Sequence, residues 1–293
     1  MTHALNWKHL DFSNPEDSKW IMEESGLSDI VAGALIDADS RPRMLQTEQG
    51  TLLILRGVNL NPNSAIEDMV SVRVWVDCDK VISTSRRQLN SIRALSAAHK
   101  AGDGPQTPAE FLTQLIERLG NYITEAIETI EGFLDSAEEN VNDSAVVARN
   151  SPFSIVRRQT ARIRRYLAPQ REALDRLSRI TDSMFSAQNK AEFHEQANRL
   201  TLILEDLDLV RERAMVAQEE LVGIIAHEQN SRMFVLSIVA AIFLPLSFLT
   251  GLMGMNVAGL PGMVNEWSFW ILVAMMLLIA VVILMLFRIK KWF

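Results

Sequence analysis

Asn256 offers a side-chain amide where no strong metal ligand is near. Within ten residues on either side, Glu266 is the only Cys, His, Asp or Glu. Sites that hold zinc tightly use thiolate, imidazole or carboxylate, and an amide is too weak to strip water from a small divalent ion. It can accept hydrogen bonds from the waters such an ion carries, which predicts recognition of a hydrated cation from outside its water shell. Weak binding also suits passage, because an ion held tightly would not leave. Gly254 and Met255 lead into Asn256 on a glycine-flanked turn, and with Glu266 these residues form the expected entrance of an ion pathway. Glu266 either concentrates cations at the mouth or is a simple interfacial charge.

The elements that must position this entrance are two uncharged stretches, Met233 to Leu252 and Trp267 to Phe287. At 1.5 Å per residue each makes roughly 30 Å of helix, the thickness of the hydrocarbon core. Residues 253–266 form the loop between them. No Lys or Arg lies between Arg232 and Arg288, whereas Arg288, Lys290 and Lys291 follow the second stretch. The positive-inside rule therefore predicts a multi-pass protein with both termini in the cytoplasm and the loop outside. Trp267, Trp270 and Trp292 fit interfacial anchoring.

On a wheel at 100° per residue, Asn230, Met233, Ser237, Leu244, Ser247, Gly251 and Gly254 fall within an arc of about 120°. Phe234, Val235, Ile238, Val239, Ile242, Leu246 and Leu249 lie on the far side, suited to lipid or to the second span. Small residues on a membrane helix often mark helix packing. Here the second span has Ser268 as its one polar residue and offers the arc no partner. Two helices cannot enclose a pore, so several copies of the chain are expected to form a ring, first helix inside and second outside. Met233 and Leu244 would then be hydrophobic constrictions. Pro245 is either a packing kink or a gating hinge, and a Thr250 hydroxyl bonding back one turn would explain its place in the pattern.

The whole-chain totals hide this organisation. A net charge of −7 and 48% hydrophobic residues describe an ordinary acidic protein, because the apolar residues are concentrated in the last fifth. Cys78 is the single cysteine, which excludes a disulfide framework and a thiolate zinc cluster. No secretory leader is expected, since residues 1–10 lack an apolar core.

Residues 1–105 read as an α/β domain core. Ser13-Asn14-Pro15-Glu16-Asp17 is a helix start. Thr51 to Val58 and Val70 to Val76 are strands, with Asp77 to Lys80 turning into Val81-Ile82-Ser83-Thr84 as a hairpin; Glu48-Gln49-Gly50 closes a second one. There is no nucleotide loop, GxSxG or HExxH, so no enzyme is indicated. The loop from Ala101 to Pro108 separates a helical region, residues 106–187, with one helix from Phe111 to about Val147 and another from Ile155 to about Phe185. The second carries Arg157, Arg158, Arg162, Arg164, Arg165, Arg171, Arg176 and Arg179. With acids close by, this is an ion-paired helix face rather than a nucleic-acid surface. Residues 188–252 form a stalk helix running into the first span, on the order of 95 Å long, with a coiled-coil-like repeat at Phe193, Ala197, Leu200, Leu204, Leu207, Ala214, Ala217, Leu221 and Ile224. Glu219 shares the face of Asn230 and joins the predicted pore lining. His194 and His227, beside Glu195 and Glu228, are surface histidines or proton or zinc sensors. Residues 288–293 are a basic tail whose cations, with Arg232, either face the lumen or anchor to anionic lipid.

Gly254-Met255-Asn256 after a first membrane helix, followed by a second span and a basic end, resembles the CorA superfamily of divalent metal transporters. The string from Phe248 to Gly262, with Arg41-Pro42-Arg43 and Arg165-Tyr166-Leu167-Ala168-Pro169-Gln170-Arg171, is similar to its ZntB zinc-transport branch. The resemblance covers essentially the whole chain. It implies an α+β cytosolic domain with a long stalk helix and two C-terminal transmembrane helices, assembled as a funnel-shaped homopentamer in the bacterial inner membrane. It further implies Zn²⁺ uptake coupled to protons, with metal as cargo and no bound cofactor. Val257 and Gly262 stand where the magnesium branch has an aromatic residue and an acid. Met255 stands where ZntB members often carry a smaller aliphatic and magnesium channels carry Met. A CorA-like channel for Mg²⁺ (or Co²⁺ or Ni²⁺) is the alternative, and a non-transporting coiled-coil scaffold is the rival from another class.

Overall fold

The computed structural model describes residues 5–140, 152–256, 260–262 and 266–289. They fall into two compact units, Met1–Leu221 and Val222–Phe293. The element order is β1 (Asn6–Asp11), α1 (Pro15–Glu23), α2 (Asp29–Ile36), β2 (Arg43–Thr47), β3 (Gly50–Gly57), β4 (Val70–Val76), β5 (Lys80–Ser85), α3 (Asn90–Ala101), α4 (Pro108–Glu139), α5 (Pro152–Ser178), α6 (Ala187–Met253) and α7 (Ser268–Ile289).

The first unit is built on a five-stranded sheet ordered β1-β5-β4-β3-β2. Only β1 and β5 are parallel; β2–β3, β3–β4 and β4–β5 are antiparallel neighbours. The two predicted hairpins are β2–β3 and β4–β5. Valines alternate with Arg73 and Trp75 along β4, and every residue of that strand is buried. Both faces are covered: Leu52, Ile54, Trp75 and Ile82 pack with Ile21, Val31 and Leu35 of α1 and α2, and α4 and α5 pack against β3. Strand β1 and helices α2 and α3 escape sequence reading. β1 has one buried position, Leu10, in a polar run, and its place depends on pairing with β5 far along the chain.

Local capping agrees with the sequence. The Asn14 side chain accepts from the Glu16 amide at 3.0 Å, and Pro15 opens α1. At α4 the Thr107 hydroxyl accepts from the Glu110 amide at 3.2 Å, while the Glu110 carboxylate accepts from the Gln106 amide at 2.7 Å. Such caps are worth about 1 kcal/mol each. The helix expected over residues 111–147 is α4 as far as Glu139; its remainder lies outside the described residues.

Within the first unit, α6 buries Phe193, Ala197, Leu200, Ile203, Leu207, Val210, Ala214, Ala217 and Leu221. From Leu200 onward the steps alternate three and four, the signature of a helix seam. This seam passes through Ile203 and Val210; Leu204 and Ile224, counted in it from sequence, are half-buried. Ion pairs flank the packed helices. Arg164 of α5 makes a two-pronged bond to Asp208 of α6, at 2.7 and 3.0 Å. Arg213 of α6 reaches Asp135 and Glu138 of α4 at 2.6 and 2.5 Å. Of the α5 arginines, Arg164 pairs with another helix, Arg162 reaches Glu67 and Asp68, and Arg179 pairs within one stretch of chain with Asp175.

A Cβ on Gly50 would meet the Val76 carbonyl oxygen and lie 2.7 Å from Trp75 Cζ2. The obstacle is sheet backbone and a buried indole, so Gly50→Ala is expected to destabilise by about 1–3 kcal/mol, read as a lower thermal midpoint. The Arg164 guanidinium holds the Asp208 carboxyl below the ordinary carboxylate range. A carboxylate with a depressed folded pKa stabilises above its unfolded value and loses that contribution as pH falls through the folded one. The pair is about half exposed and solvent-screened, so Arg164→Ala should cost only about 0.2–1 kcal/mol at neutral pH. That cost should vanish in acid, as denaturation midpoints between about pH 2 and pH 7 will test.

Candidate functional site

The second unit contains the end of α6, the start of the loop and α7. Both helices include windows long and apolar enough to cross a membrane, with mean hydropathy 2.4 and 3.1. Inside this unit the two pack along one face each. On α6 the half-buried residues are Phe234, Ile238, Ala241, Ile242, Pro245, Leu246 and Leu249; on α7 they include Leu272, Met276, Ile279, Ile283 and Phe287. Both sets recur at steps of three and four, the spacing that keeps a seam facing a partner helix. Phe234 and Phe287 close one end, edge to face, with ring centroids 6.2 Å apart. Such a contact contributes about 0.5–1.5 kcal/mol beyond its buried area.

Five of the seven residues placed on the far side of the first span lie in this seam. Val235 and Val239 do not: they are exposed at the edge of the same face. Ala241 and Pro245 join the seam instead. Pro245 lies inside an unbroken helix and is half-buried on this face.

The opposite face is bare. Asn230, Met233, Ser237, Leu244, Ser247, Gly251 and Gly254 are all exposed, with Met233 and Leu244 at 68% and 73%. The helix places these seven residues on one side, away from the seam. Ser237 donates to the Met233 carbonyl at 2.8 Å, and Thr250 donates to the Ser247 carbonyl at 3.0 Å. Each hydroxyl is satisfied by its own helix, the device expected for Thr250. Glu219, in the first unit, is exposed, as are His194 and, in the second unit, His227.

At the end of α6 the Gly254 amide donates to the Thr250 carbonyl at 2.9 Å. A Cβ there would sit 3.1 Å from the same oxygen, so glycine lets the chain leave the helix tightly. Met255 and Asn256 follow, both exposed, as is Glu266. The returning end of the loop is fastened separately. Gly262 has φ +91°, a conformation side chains disfavour, and its carbonyl accepts from Ser268 Oγ at 2.7 Å. Met253, Met255, Leu260, Pro261 and the first turns of α7 line a cleft of about 500 Å³ beside this turn. The Ser268 clamp escapes sequence reading, which treats Ser268 only as a lone polar residue; the glycine six positions earlier is its one signal. Residues 257–259, 263–265 and 290–293, including Val257, Lys290, Lys291 and Trp292, lie outside the described residues. Among the described residues no group of three or more His, Cys, Asp or Glu is placed to hold a metal ion.

If the bare face of α6 meets water or a like helix, a carboxylate there will be tolerated where one in the seam is not. Ser247→Asp should leave the folded hairpin within about 1 kcal/mol of the parent, whereas Ile242→Asp should cost about 3 kcal/mol. Thermal midpoints of the detergent-purified protein measure the difference, and equal losses would mean that both faces are equally apolar in surroundings.

Three comparisons bear on this geometry. The family model described as "CorA-like Mg2+ transporter protein" matches residues 2–291. The Divalent cation transporter CmaX of Pseudomonas aeruginosa is 39% identical over 90% of this chain and 80% of its own length. The Zinc transport protein ZntB of Pectobacterium carotovorum is 30% identical over 98% of this chain and 87% of its own. Among solved structures, the full-length CmaX protein superposes with a TM-score of 0.83 at 36% identity, covering 98% of this chain and 88% of that one.

Proposed function

We propose, from the premise that this chain belongs to the CorA-like Mg²⁺ transporter family, that it moves Zn²⁺ into the cell through a path lined by α6. The protein is a divalent cation transporter of that family and not an enzyme. The observation that carries the finer reading is the bare arc of α6 ending at Gly254-Met255-Asn256. It is the only face of that helix to combine Asn230, Ser237 and Ser247 with glycine, and it faces away from the helix's own partner.

In this reading five copies surround the path, each contributing one α6. Asn256 amides and the Glu266 carboxylates receive a hydrated cation at the outer mouth, with Gly254 and Met255 shaping the turn. The ion then passes Gly251, Ser247 and Ser237, whose oxygens are weak enough not to hold it. Met233 and Leu244 close the path by excluding water, and Asn230 and Glu219 receive the ion on the inner side. Both termini lie in the cytoplasm of a bacterial inner membrane. Protons moving in the same direction supply the driving force. Zinc as cargo is supported by ZntB relatives aligned over 98% of the chain.

A second reading of the cargo has its own support. The CmaX relative is named for divalent cations in general, and Met255 resembles the magnesium branch. An outer-sphere amide reads charge and water-shell size more than ligand softness, so Mg²⁺ is the competitor to test.

Reconstituted vesicles decide these points together. Zn²⁺ uptake should fall at least tenfold in Asn256→Ala while size-exclusion chromatography shows the oligomer intact; undiminished flux defeats the role given to Asn256. A hundredfold excess of Mg²⁺ should leave zinc uptake largely unchanged, and strong suppression selects the second reading. Acidifying the outside should raise the initial rate. A rate blind to the gradient removes proton coupling.

A further inference from the structure

The first unit holds a concentration of arginine that ion transport does not explain. Arg56 of β3 and Ser71 of β4 are directly paired across the sheet. With Arg86 and Arg87 just beyond β5, and Phe12 just beyond β1, they line a cleft of about 160 Å³ that has no acidic side chain in its wall among the described residues. That volume equals about five liquid waters at ~30 Å³ each, room for a small oxyanion. Arg86 and Arg87 are exposed and reach the cleft from solvent.

Behind them stands Arg73, fully buried on β4. One of its terminal nitrogens donates to the Asp37 carbonyl just past the end of α2, and its guanidinium lies over the Phe12 ring at 4.5 Å. Its Nε and other terminal nitrogen are buried without a hydrogen-bond partner among the described residues. Arg56 is set rigidly: its terminal nitrogens donate to the Met69 and Ser40 carbonyls at 2.9 and 3.0 Å, and the group stacks on Tyr166 at 4.5 Å. Its Nε, too, is buried with no partner among the described residues.

These cations are short of counter-charge. No ion pair among the described residues includes Arg56, Arg73, Arg86 or Arg87. The neighbouring acids Glu67 and Asp68 are shared with Arg162 at 3.8 and 3.7 Å. Asp37 and Asp39 act only at longer range, favouring the charge on Arg73 and Arg56 respectively. Burial and the charge of Arg56 push Arg73 down to about 10. Buried like charges without a neutralising partner are costly, and guanidinium groups gathered from separate stretches of chain suit the oxygens of a tetrahedral dianion.

We infer that this cleft, bounded by Arg56, Arg86, Arg87 and Ser71, is a binding site for a phosphoryl group, either free phosphate or the phosphate of a larger soluble molecule. Arg86 and Arg87 capture it, Arg56 orients it through a fixed guanidinium, and the Ser71 hydroxyl completes the cradle. The inference stands apart from the transport reading, since none of these residues belongs to the ion path.

Titration of the purified full-length protein with inorganic phosphate, followed by calorimetry and thermal midpoint, is the test. Saturable binding with a midpoint raised by several degrees is expected, with affinity reduced at least tenfold in Arg86→Gln/Arg87→Gln. Those side chains are exposed, so the variant should fold with the parent's midpoint in the absence of phosphate. Arg87→Lys, which keeps the charge but loses the fork, should fall between the two. Sulfate should compete, while chloride at matched ionic strength should not. ATP in place of phosphate separates the sources: tighter binding than phosphate assigns the site to a phosphate on a larger molecule, and weaker binding assigns it to the free ion. No saturable binding, equal affinity in the double variant, or full displacement by chloride overturns the proposal.

Discussion

Two helices packed side by side can cover only part of each other's circumference, and in the second unit this limit organises everything else. The α6 seam from Phe234 to Leu249 uses the apolar face against α7. What remains is a face carrying Asn230, Ser237, Ser247 and two glycines in a segment otherwise made for hydrocarbon. Serine hydroxyls can be quieted by bonding to their own helix, as Ser237 does. The Asn230 and Asn256 side-chain amides are exposed and lie outside the seam. A face of this kind in lipid is expensive, a cost that the proposed ring of copies would relieve.

The outer turn obeys the same economy of small residues. At Gly254 a Cβ would come within 3.1 Å of the Thr250 carbonyl oxygen, and Gly262 adopts a conformation that side chains disfavour, held by Ser268. Both glycines shape the backbone on either side of the amide without adding chemistry. In the proposed path, selectivity for a hydrated ion would rest on geometry and on a ring of weak acceptors. The absence of Cys and His near Asn256 is consistent with passage rather than storage.

The α+β unit follows different rules. Its sheet is covered on both faces, so even Arg73 is buried among hydrophobic neighbours. Arg73 and Thr84 serve the end of α2 by donating to the Asp37 and Leu35 carbonyls, where a helix presents its unsatisfied oxygens and negative dipole end. This accounts for one Arg73 nitrogen and leaves the others, with Arg56 Nε, as the polar remainder of an otherwise packed sheet. Helix pairing beyond the sheet is fixed by the α6 seam, with Arg164–Asp208 and Arg213–Asp135 at its margins adding direction more than stability.

Some of this could be read before any coordinates. The two spans, the turn between them, the β2–β3 and β4–β5 hairpins and the cap at Asn14 depend on neighbours within a few residues, so periodicity and local side chains determine them. The sorting of α6 into a polar arc and an apolar face is equally local, since 100° per residue decides it. The tertiary structure decided what distance along the chain conceals. β1 is a strand because β5 lies beside it, some seventy residues later in register from Asn6 and Lys80 to Asp11 and Ser85. The seam runs through Ile203 because of what packs there, though Leu204 is equally apolar. Arg56, Arg73, Arg86 and Arg87 come together only because strands far apart in sequence become neighbours, and the energy of a charge is set by what surrounds it rather than by what adjoins it in the chain.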